Sequence, residues 1–489
     1  MRVEPAGLKI LFLASEAAPL IKVGGLGDVA GSLPLALRAL SAPDWSEPEI
    51  DVRLVLPFHE AIRTKIEDPP LVASFYVDHP DGRQWAKVYL AQIKEMPVYL
   101  IDGAAINPDG LVYSRDPEED GKKYVFFSLA AIAMIRHLDW KPDVIHANDW
   151  HTGAALYSLK LQQKSDPFFK SIRSLISVHN LPFMGKDAVR AMIDFDLPPA
   201  RAAHLPKWAE YFPLPLGLSS ADHIVAVSPG YAAEILTPEF GCGLQDYLAT
   251  RTKSLTGILN GLDQQAWGPS TDKEIVSQYS AATLDQKPLN KSALQAEMEI
   301  AVDNDIPLLI MVTRMDQQKG VDIAVNGLRL AADLKWQAVI LGTGDSLLET
   351  SCRSLEAEFP ERVRALITYD GALSRRLYAA GDILLMPSRY EPCGLSQMIA
   401  MRYGTVPLAR STGGLRDTIH DDPTLAESTG FLFDEADPEA FADTLRRTLY
   451  IFSNQIEWRN IQMRGMNQDF SWSKSALEYG NLYLHHSGR

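Results

Sequence analysis

The sequence predicts an α/β protein made of two doubly wound units. Short apolar runs that read as buried parallel strands recur, separated by helix-length amphipathic stretches. A polar stretch with few apolar anchors, from the turn Asn260-Gly261-Leu262-Asp263 to Asn290, divides these runs into two sets of similar style. The length of 489 residues fits the same reading, being too long for one ordinary domain and sufficient for two or three that each bury a core.

In the first set the expected strands are residues 9–14, 52–57, 144–147, 175–178 and 223–227. Between about residues 71 and 102 the runs 72–77, 87–91 and 98–101 lie close together around the turn signal Asp81-Gly82, which predicts an antiparallel hairpin insertion. The second set has strands at 308–313, 338–341 and 383–386, with helices at 321–330 and about 395–403. The last helix-like stretch, 471–485, places Trp472, Ala476, Leu477, Tyr479 and Leu484 at helical spacing behind Ser471, and so needs a surface to pack on. In doubly wound sheets ligands bind beyond the carboxyl ends of the strands, so two such domains facing each other predict a site in a cleft.

Composition narrows the function classes. The chain is 46% hydrophobic and 22% charged, ordinary for a globular protein and unlike a disordered one. A formal net charge of −15 matches neither a nucleic-acid binder nor an anionic-membrane binder, so an anionic substrate must be held by a few local cations. The three cysteines, Cys242, Cys352 and Cys393, form no CxxC pair, which argues against a disulfide framework or a structural zinc. Residues 1–8 include Glu4 and Pro5 and lack the basic-then-apolar pattern of a signal peptide, and no apolar stretch reaches membrane-spanning length; a cytoplasmic protein is expected.

Several motifs sit where strands end. Lys22-Val-Gly-Gly-Leu-Gly-Asp28 follows the first strand and leads into a helix, an arrangement in which glycines let backbone approach a ligand and a helix N-terminus favours phosphate. Gly25-x-Gly27-x-x-Ala30 also fits a relaxed dinucleotide fingerprint, which makes a nicotinamide or flavin oxidoreductase the rival reading. Against it, the glycines begin ten residues after Ala14, and the second strand ends in Pro57-Phe58-His59, with no acidic residue for a ribose. His146-Ala-Asn-Asp149-Trp-His151 could ligate zinc, sit in a structural turn, or offer a substrate-binding carboxylate; its place at a strand end favours the last. His179-Asn180 closes the next strand in the same way. Asp303-Asn-Asp305 has the form of a metal-binding Asp-x-Asp, but it precedes a strand and reads as a solvated turn.

Arg314 ends one strand and Lys319 stands just before the next helix. Cations near a helix N-terminus oppose its dipole unless an anion lies between them; a bound phosphate would supply one, and two solvated surface cations are the alternative. Pro387-Ser-Arg-Tyr-Glu391-Pro-Cys393-Gly-Leu395-Ser-Gln397 runs off the strand 383–386 into a helix that Pro392 is placed to start. That would leave the N–H groups of Cys393, Gly394 and Leu395 for a polar ligand, with Glu391 to accept hydrogen bonds from sugar hydroxyls. Thr412-Gly413-Gly414 adds a second glycine loop before a helix.

Taken together and in this order, Lys22-x-Gly-Gly-Leu-x-Asp28, His146-x-x-Asp149-Trp-His151, Val178-His-Asn180, Leu259-Asn-Gly261, Arg314-x4-Lys319-Gly320, Pro387-Ser-Arg-x-Glu391-Pro-Cys-Gly-Leu395 and Thr412-Gly-Gly-Leu415 resemble the bacterial glycogen synthases and plant starch synthases, from residue 9 to about 482. The resemblance implies the GT-B fold. On it, residues 1–262 would be a Rossmann-like acceptor-side domain with the hairpin insertion, 263–465 a Rossmann-like nucleotide-sugar domain, and 466–489 a helix returning to the first. It implies retaining transfer of glucose from ADP-glucose to the non-reducing end of an α-1,4-glucan or maltooligosaccharide, with no metal and no cofactor. By likeness, Lys22, Gly24, Gly25, Arg314, Lys319, Thr412 and Gly413 would hold the diphosphate, and Tyr369 would cover the adenine. Glu391, Cys393, Gly394 and Leu395 would grip the glucose, with His179, Asn260 and Asp149 on its other side. Of these, Glu391, Arg314, Lys319, His179 and Asp149 form the expected catalytic set.

The sequence departs from the family pattern in Pro182-Phe-Met-Gly185, in Phe212-Pro-Leu-Pro-Leu-Gly217, at Tyr390 and Ser396, and in Trp267-Gly-Pro. With the catalytic set intact, these bear on acceptor binding and product length. UDP-glucose as donor and a non-catalytic glucan-binding relative are the remaining alternatives; loss of Glu391, Arg314 or Lys319 would have favoured the latter, and all three are present.

Overall fold

The computed structural model describes residues 7–41, 43–106 and 111–487. Most of the N-terminal segment read for a leader, residues 1–6, lies outside the described residues. The chain divides into two compact units, Met1–Gly261 with Trp472–Arg489, and Leu262–Ser471.

The first unit is built on a nine-stranded sheet. Its strands are β1 (Leu8–Leu13), β2 (Ile50–Pro57), β3 (Leu71–Val77), β4 (Gln84–Ile93), β5 (Met96–Gly103), β6 (Val144–Asn148), β7 (Arg173–Val178), β8 (His223–Ala226) and β9 (Leu255–Gly257), in the order β3-β4-β5-β2-β1-β6-β7-β8-β9. From β5 to β9 every pairing is parallel, and the central strands are buried nearly end to end, as expected where helices cover both faces. The region read as a hairpin insertion is an antiparallel meander, β3-β4-β5, whose last strand joins the parallel sheet beside β2. Along β3 exposed and buried residues alternate, the mark of a strand with one solvated face.

The last helix, Trp472–Ser487, belongs to this unit. Trp472, Ala476, Tyr479 and Tyr483 recur at helical spacing, and all four are buried in the same core as β1, β2 and the helix Gly25–Arg38. Burial of each large side chain contributes about 1.5–3 kcal/mol. Its polar atoms are met as well. Tyr483 Oη lies 2.7 Å from His146 Nδ1, whose Nε2 lies 2.7 Å from Ser177 Oγ, and Ser475 Oγ donates to the Leu259 carbonyl at 2.6 Å. His146 thus serves as a core polar link. Burial pushes it down to about pKa 3, so it stays neutral.

The second unit has a six-stranded, wholly parallel sheet: β10 (Leu308–Val312), β11 (Gln337–Gly342), β12 (Val363–Ile367), β13 (Ile383–Met386), β14 (Val406–Arg410) and β15 (Phe431–Phe433), ordered β12-β11-β10-β13-β14-β15. The helix Val321–Leu330 turns Val321, Ile323, Ala324, Val325 and Leu328 into a core shared with β10, β11 and β13. Because β10, β13 and β14 are neighbours running the same way, the loops leaving their carboxyl ends, 313–320, 387–395 and 411–412, emerge side by side. Three segments far apart in sequence are thereby gathered at one end of the sheet.

Candidate active site

In the second unit the loops after β10 and β13 are stitched together. Arg389 N–H donates to the Gln318 carbonyl at 2.7 Å, and its guanidinium holds Asp322 at 2.9 and 2.8 Å. Gly320 has φ +65°, and a Cβ there would lie 2.0 Å from the Pro387 carbonyl oxygen, so only glycine permits this approach. The result sets Lys319 against Glu391: Nζ lies 2.9 and 2.7 Å from the two carboxylate oxygens, and Ser388 Oγ donates to Oε2 at 3.0 Å. Glu391 is buried. The anion that the position of Lys319 calls for is therefore supplied within the unit by Glu391, and no bound phosphate is needed to explain the cation. Arg314 is held more loosely, 2.9 Å from Asp316 Oδ2 with 64% of its side chain exposed.

The segment after Glu391 differs from expectation. Pro392 does not open the helix, which runs Ser396–Arg402; a turn with Gly394 at φ +75° intervenes. Gln397, fully buried, fixes that turn by donating to the Cys393 and Gly394 carbonyls at 3.0 and 3.1 Å. Leu395 is the residue before the helix, and Cys393 is buried. Thr412 precedes the short helix Gly413–Thr418, and Gly414 N–H donates to the Glu391 carbonyl at 3.0 Å. A Cβ on Gly414 would lie 2.2 Å from the Cys393 oxygen, which explains the second glycine loop by close packing. Tyr369 stands apart, 88% exposed after the edge strand β12, two strands from β10.

In the first unit, β6 and β7 bring Asp149 and His179 together. Asp149 precedes the helix Trp150–Ser165 at φ +55°, a region that costs a non-glycine residue roughly 1–3 kcal/mol. Its carboxylate accepts the His179 N–H at 2.7 Å and the Asn180 N–H at 3.4 Å. Burial raises the Asp149 carboxyl to about 7 against these two bonds, with the nearby Glu16 charge adding to the rise. Burial lowers His179 to about 4, leaving a neutral imidazole whose Nε2 donates to Asn148 Oδ1 at 2.9 Å; Asn148 in turn donates to the Leu13 carbonyl. The oxygens Asn180 Oδ1 and Asn260 Oδ1 are both buried without a hydrogen-bond partner. Such atoms are costly unless something answers them.

The two histidines of the Asp149 motif are dispersed. His146 faces the last helix, and His151 lies among the rings of Trp150, Tyr124 and Tyr113. Among the described residues no group of three His, Cys, Asp or Glu is arranged to hold a metal ion. A pocket of about 200 Å³ is lined by Trp150, Pro182, Phe183, Met184, Gly185 and Phe212, among others. A Cβ on Gly185 would meet the Trp150 ring at 2.6 Å and Pro213 Cδ at 3.1 Å. Two segments in which the sequence departs from the family pattern thus meet at one pocket.

The glycine loop is organised from within. The helix opens at Gly25 with Gly24 before it, and Lys22 Nζ lies 2.8 Å from Asp28. The Val23 and Gly24 amides are taken by the carboxylate of Glu16. The sequence reading missed Glu16, Ser388 and Asp316; the only signal was acidic or hydroxyl residues inside or just ahead of motifs already marked. Among the described residues, no helix is long and apolar enough to cross a membrane.

Comparison with known proteins agrees along the whole chain. Residues 9–250 match the starch synthase catalytic domain, and residues 296–453 match glycosyl transferases group 1. The chain is 37% identical to the glycogen synthase of Clostridium perfringens, covering 97% of this chain and 98% of that one. It is 38% identical to the glycogen synthase of Aromatoleum aromaticum, with 98% and 97% covered. Among solved structures it is similar to the catalytic domain of starch synthase IV from Arabidopsis thaliana bound to ADP and acarbose, with a TM-score of 0.87, 30% identity, and 99% and 100% covered. Sucrose-phosphate synthase from Thermosynechococcus elongatus, 19% identical with a TM-score of 0.61 over 98% of each chain, shares the fold.

Proposed function

Because the chain belongs to the glycogen and starch synthase family of GT-B glucosyltransferases, we propose that it moves glucose from ADP-glucose to the non-reducing end of an α-1,4-glucan with retention at the anomeric carbon. The observation that carries this reading is the Lys319–Glu391 pair, a cation and a carboxylate held together by loops from neighbouring strands. A nucleotide-sugar presents the complementary pair of groups, a diphosphate and a ring of hydroxyls. In the transfer, the bond from the anomeric carbon to the diphosphate breaks and a bond to the acceptor hydroxyl oxygen forms. The acceptor proton passes to the departing phosphate oxygen. Lys319 and Arg314 stabilise the charge that develops on the diphosphate, which is where preorganised cations contribute most.

Once phosphate competes for Lys319, the Glu391 carboxylate is released to accept hydrogen bonds from the glucose. On the first unit, neutral His179 and the unanswered Asn260 oxygen suit a sugar's hydroxyls. Lys22 and Gly25 face the diphosphate, and Tyr369, exposed and planar, covers the adenine. The pocket at Trp150 and Phe183 supports an acceptor role for this unit, since aromatic faces pack against the C–H faces of sugar rings. The ADP bound in the similar starch synthase structure favours an adenine donor over UDP-glucose. The composition and the lack of a spanning helix among the described residues fit a cytoplasmic location.

The test is to incubate the protein with ADP-glucose and a maltooligosaccharide and read the new linkage by NMR. An α-1,4 product without pyridine-nucleotide turnover is expected. A β-linked product, or oxidation of a nicotinamide cofactor instead of chain growth, would overturn the reading.

A further inference from the structure

Glu16 lies between β1 and the glycine loop and is only 1% exposed. Its carboxylate accepts the N–H of Val23 and, at 3.0 and 3.2 Å, that of Gly24. From a different part of the unit, Tyr113 donates its hydroxyl to Oε1 at 3.3 Å. A Cβ built on Gly24 would lie 3.3 Å from Oε1 and one on Gly27 3.0 Å from Oε2, whereas one on Gly25 would meet nothing within 4 Å. Two glycines of the motif thus lie tightly against the Glu16 carboxylate, Gly27 against Lys22 as well. The third faces open space.

Resting on the reading of this loop as part of the donor site, we propose that Glu16 is a positioning residue: a built-in anion that takes the Val23 and Gly24 amides and holds the loop so that Lys22 and Gly25 face the nucleoside diphosphate. Hydrogen bonds from backbone N–H groups to a carboxylate are charge-assisted and about twice as strong as neutral ones. They matter most in a segment such as 14–24, which has only an isolated bridge, Ala17 with Ile21, for regular structure. Tyr113 donates to Oε1, the oxygen that also receives the Gly24 N–H, and so ties the carboxylate to a second part of the unit. With those amides taken, the donor is met by the Lys22 ammonium and by the bare backbone of Gly25. Glu16 acts on the donor through these two residues.

The test uses the full chain, with ADP binding measured by calorimetry and with separate KM values for donor and acceptor. Glu16→Gln keeps the volume but removes the charge and one of the two acceptor oxygens that Val23, Gly24 and Tyr113 share. It is expected to weaken ADP binding by about ten-fold or more and raise the donor KM, with the acceptor KM unchanged within about two-fold. Combined with Lys22→Ala, the loss should be smaller than the product of the two single losses, because both remove the same contact. ADP affinity within about two-fold of the parent, or losses that multiply, would overturn the proposal. Should Glu16→Gln not give a cooperative thermal transition, Tyr113→Phe takes its place, with ADP binding weakened and acceptor KM unchanged as the supporting result and unchanged ADP binding as the contrary one. If the parent protein itself binds no ADP, the donor-site reading falls and this role falls with it.

Discussion

Each cation assigned to the diphosphate already has a carboxylate beside it: Lys22 has Asp28, Arg314 has Asp316 and Lys319 has Glu391. These pairs keep the cations in place, and of the three only the Lys319–Glu391 pair has both side chains largely withdrawn from solvent. Lys319→Ala should lower turnover roughly a hundred-fold or more, about 3 kcal/mol, as for loss of one oxyanion donor. Donor affinity should fall less, since the effect arises in the transition state. Steady-state kinetics beside ADP calorimetry check it; normal turnover with weakened binding would reduce Lys319 to a ground-state anchor. Asp149 makes a second prediction. Its carboxyl goes from 3.8 unfolded to about 7 folded, so the stability of its neutral form is full below about pH 4 and lost as pH rises through 7. Urea unfolding of the parent and Asp149→Asn at pH 5 and pH 8 should show the parent losing ground to the variant at pH 8. The left-handed backbone there adds a third: Asp149→Gly should be more stable than Asp149→Ala by about 1 kcal/mol. Lys319 and Glu391 were legible in the sequence as separate motif residues. Their pairing was not, because it depends on β10 and β13 lying side by side although more than seventy residues separate them.

Among the elements, those defined by an apolar run were the most legible. Strand β13 and the helix Val321–Leu330 have the expected limits, and β1, β6, β7 and β8 differ by one or two residues at their ends. The ends that moved are set by neighbours: β4 extends to Gln84–Ile93 because it pairs along its length with β5, a contact its own residues do not announce. Pro392 misled for a similar reason. Its preference for a first helical turn is a local one, and Gly394 with the buried Gln397 side chain overrides it. The last helix shows what burial adds to periodicity, since Tyr483 carries both apolar surface and a hydroxyl aimed at His146. Tyr483→Phe should destabilise the first unit by about 1–3 kcal/mol, the cost of leaving a buried partner unsatisfied, as read in thermal or urea unfolding. No loss would mean that the His146 link is energetically idle.

In the whole molecule, the proposed roles fall at the carboxyl ends of strands in both sheets. The carboxyl ends of β10, β13 and β14 gather most of the residues proposed to hold the donor, Glu391 included, the segment after β1 adds Lys22 and Gly25, and the ends of β6 and β7 gather further residues proposed to meet the sugar. This placement follows from the rule that parallel sheets present their ligands at the carboxyl ends of strands. This was readable in outline from where the motifs fall, whereas Glu16 and the pocket at Trp150 needed the folded chain. Transfer should also continue in the presence of a chelator, because the leaving-group charge is assigned to Arg314, Lys319 and Lys22. The most direct test of the central claim is chain growth on a maltooligosaccharide with ADP-, UDP- and GDP-glucose supplied separately and the products sized. Ladders of longer glucans are expected with ADP-glucose, and far slower growth with the other two. Efficient growth with UDP-glucose alone, or no growth with any donor while the protein remains folded, would contradict it.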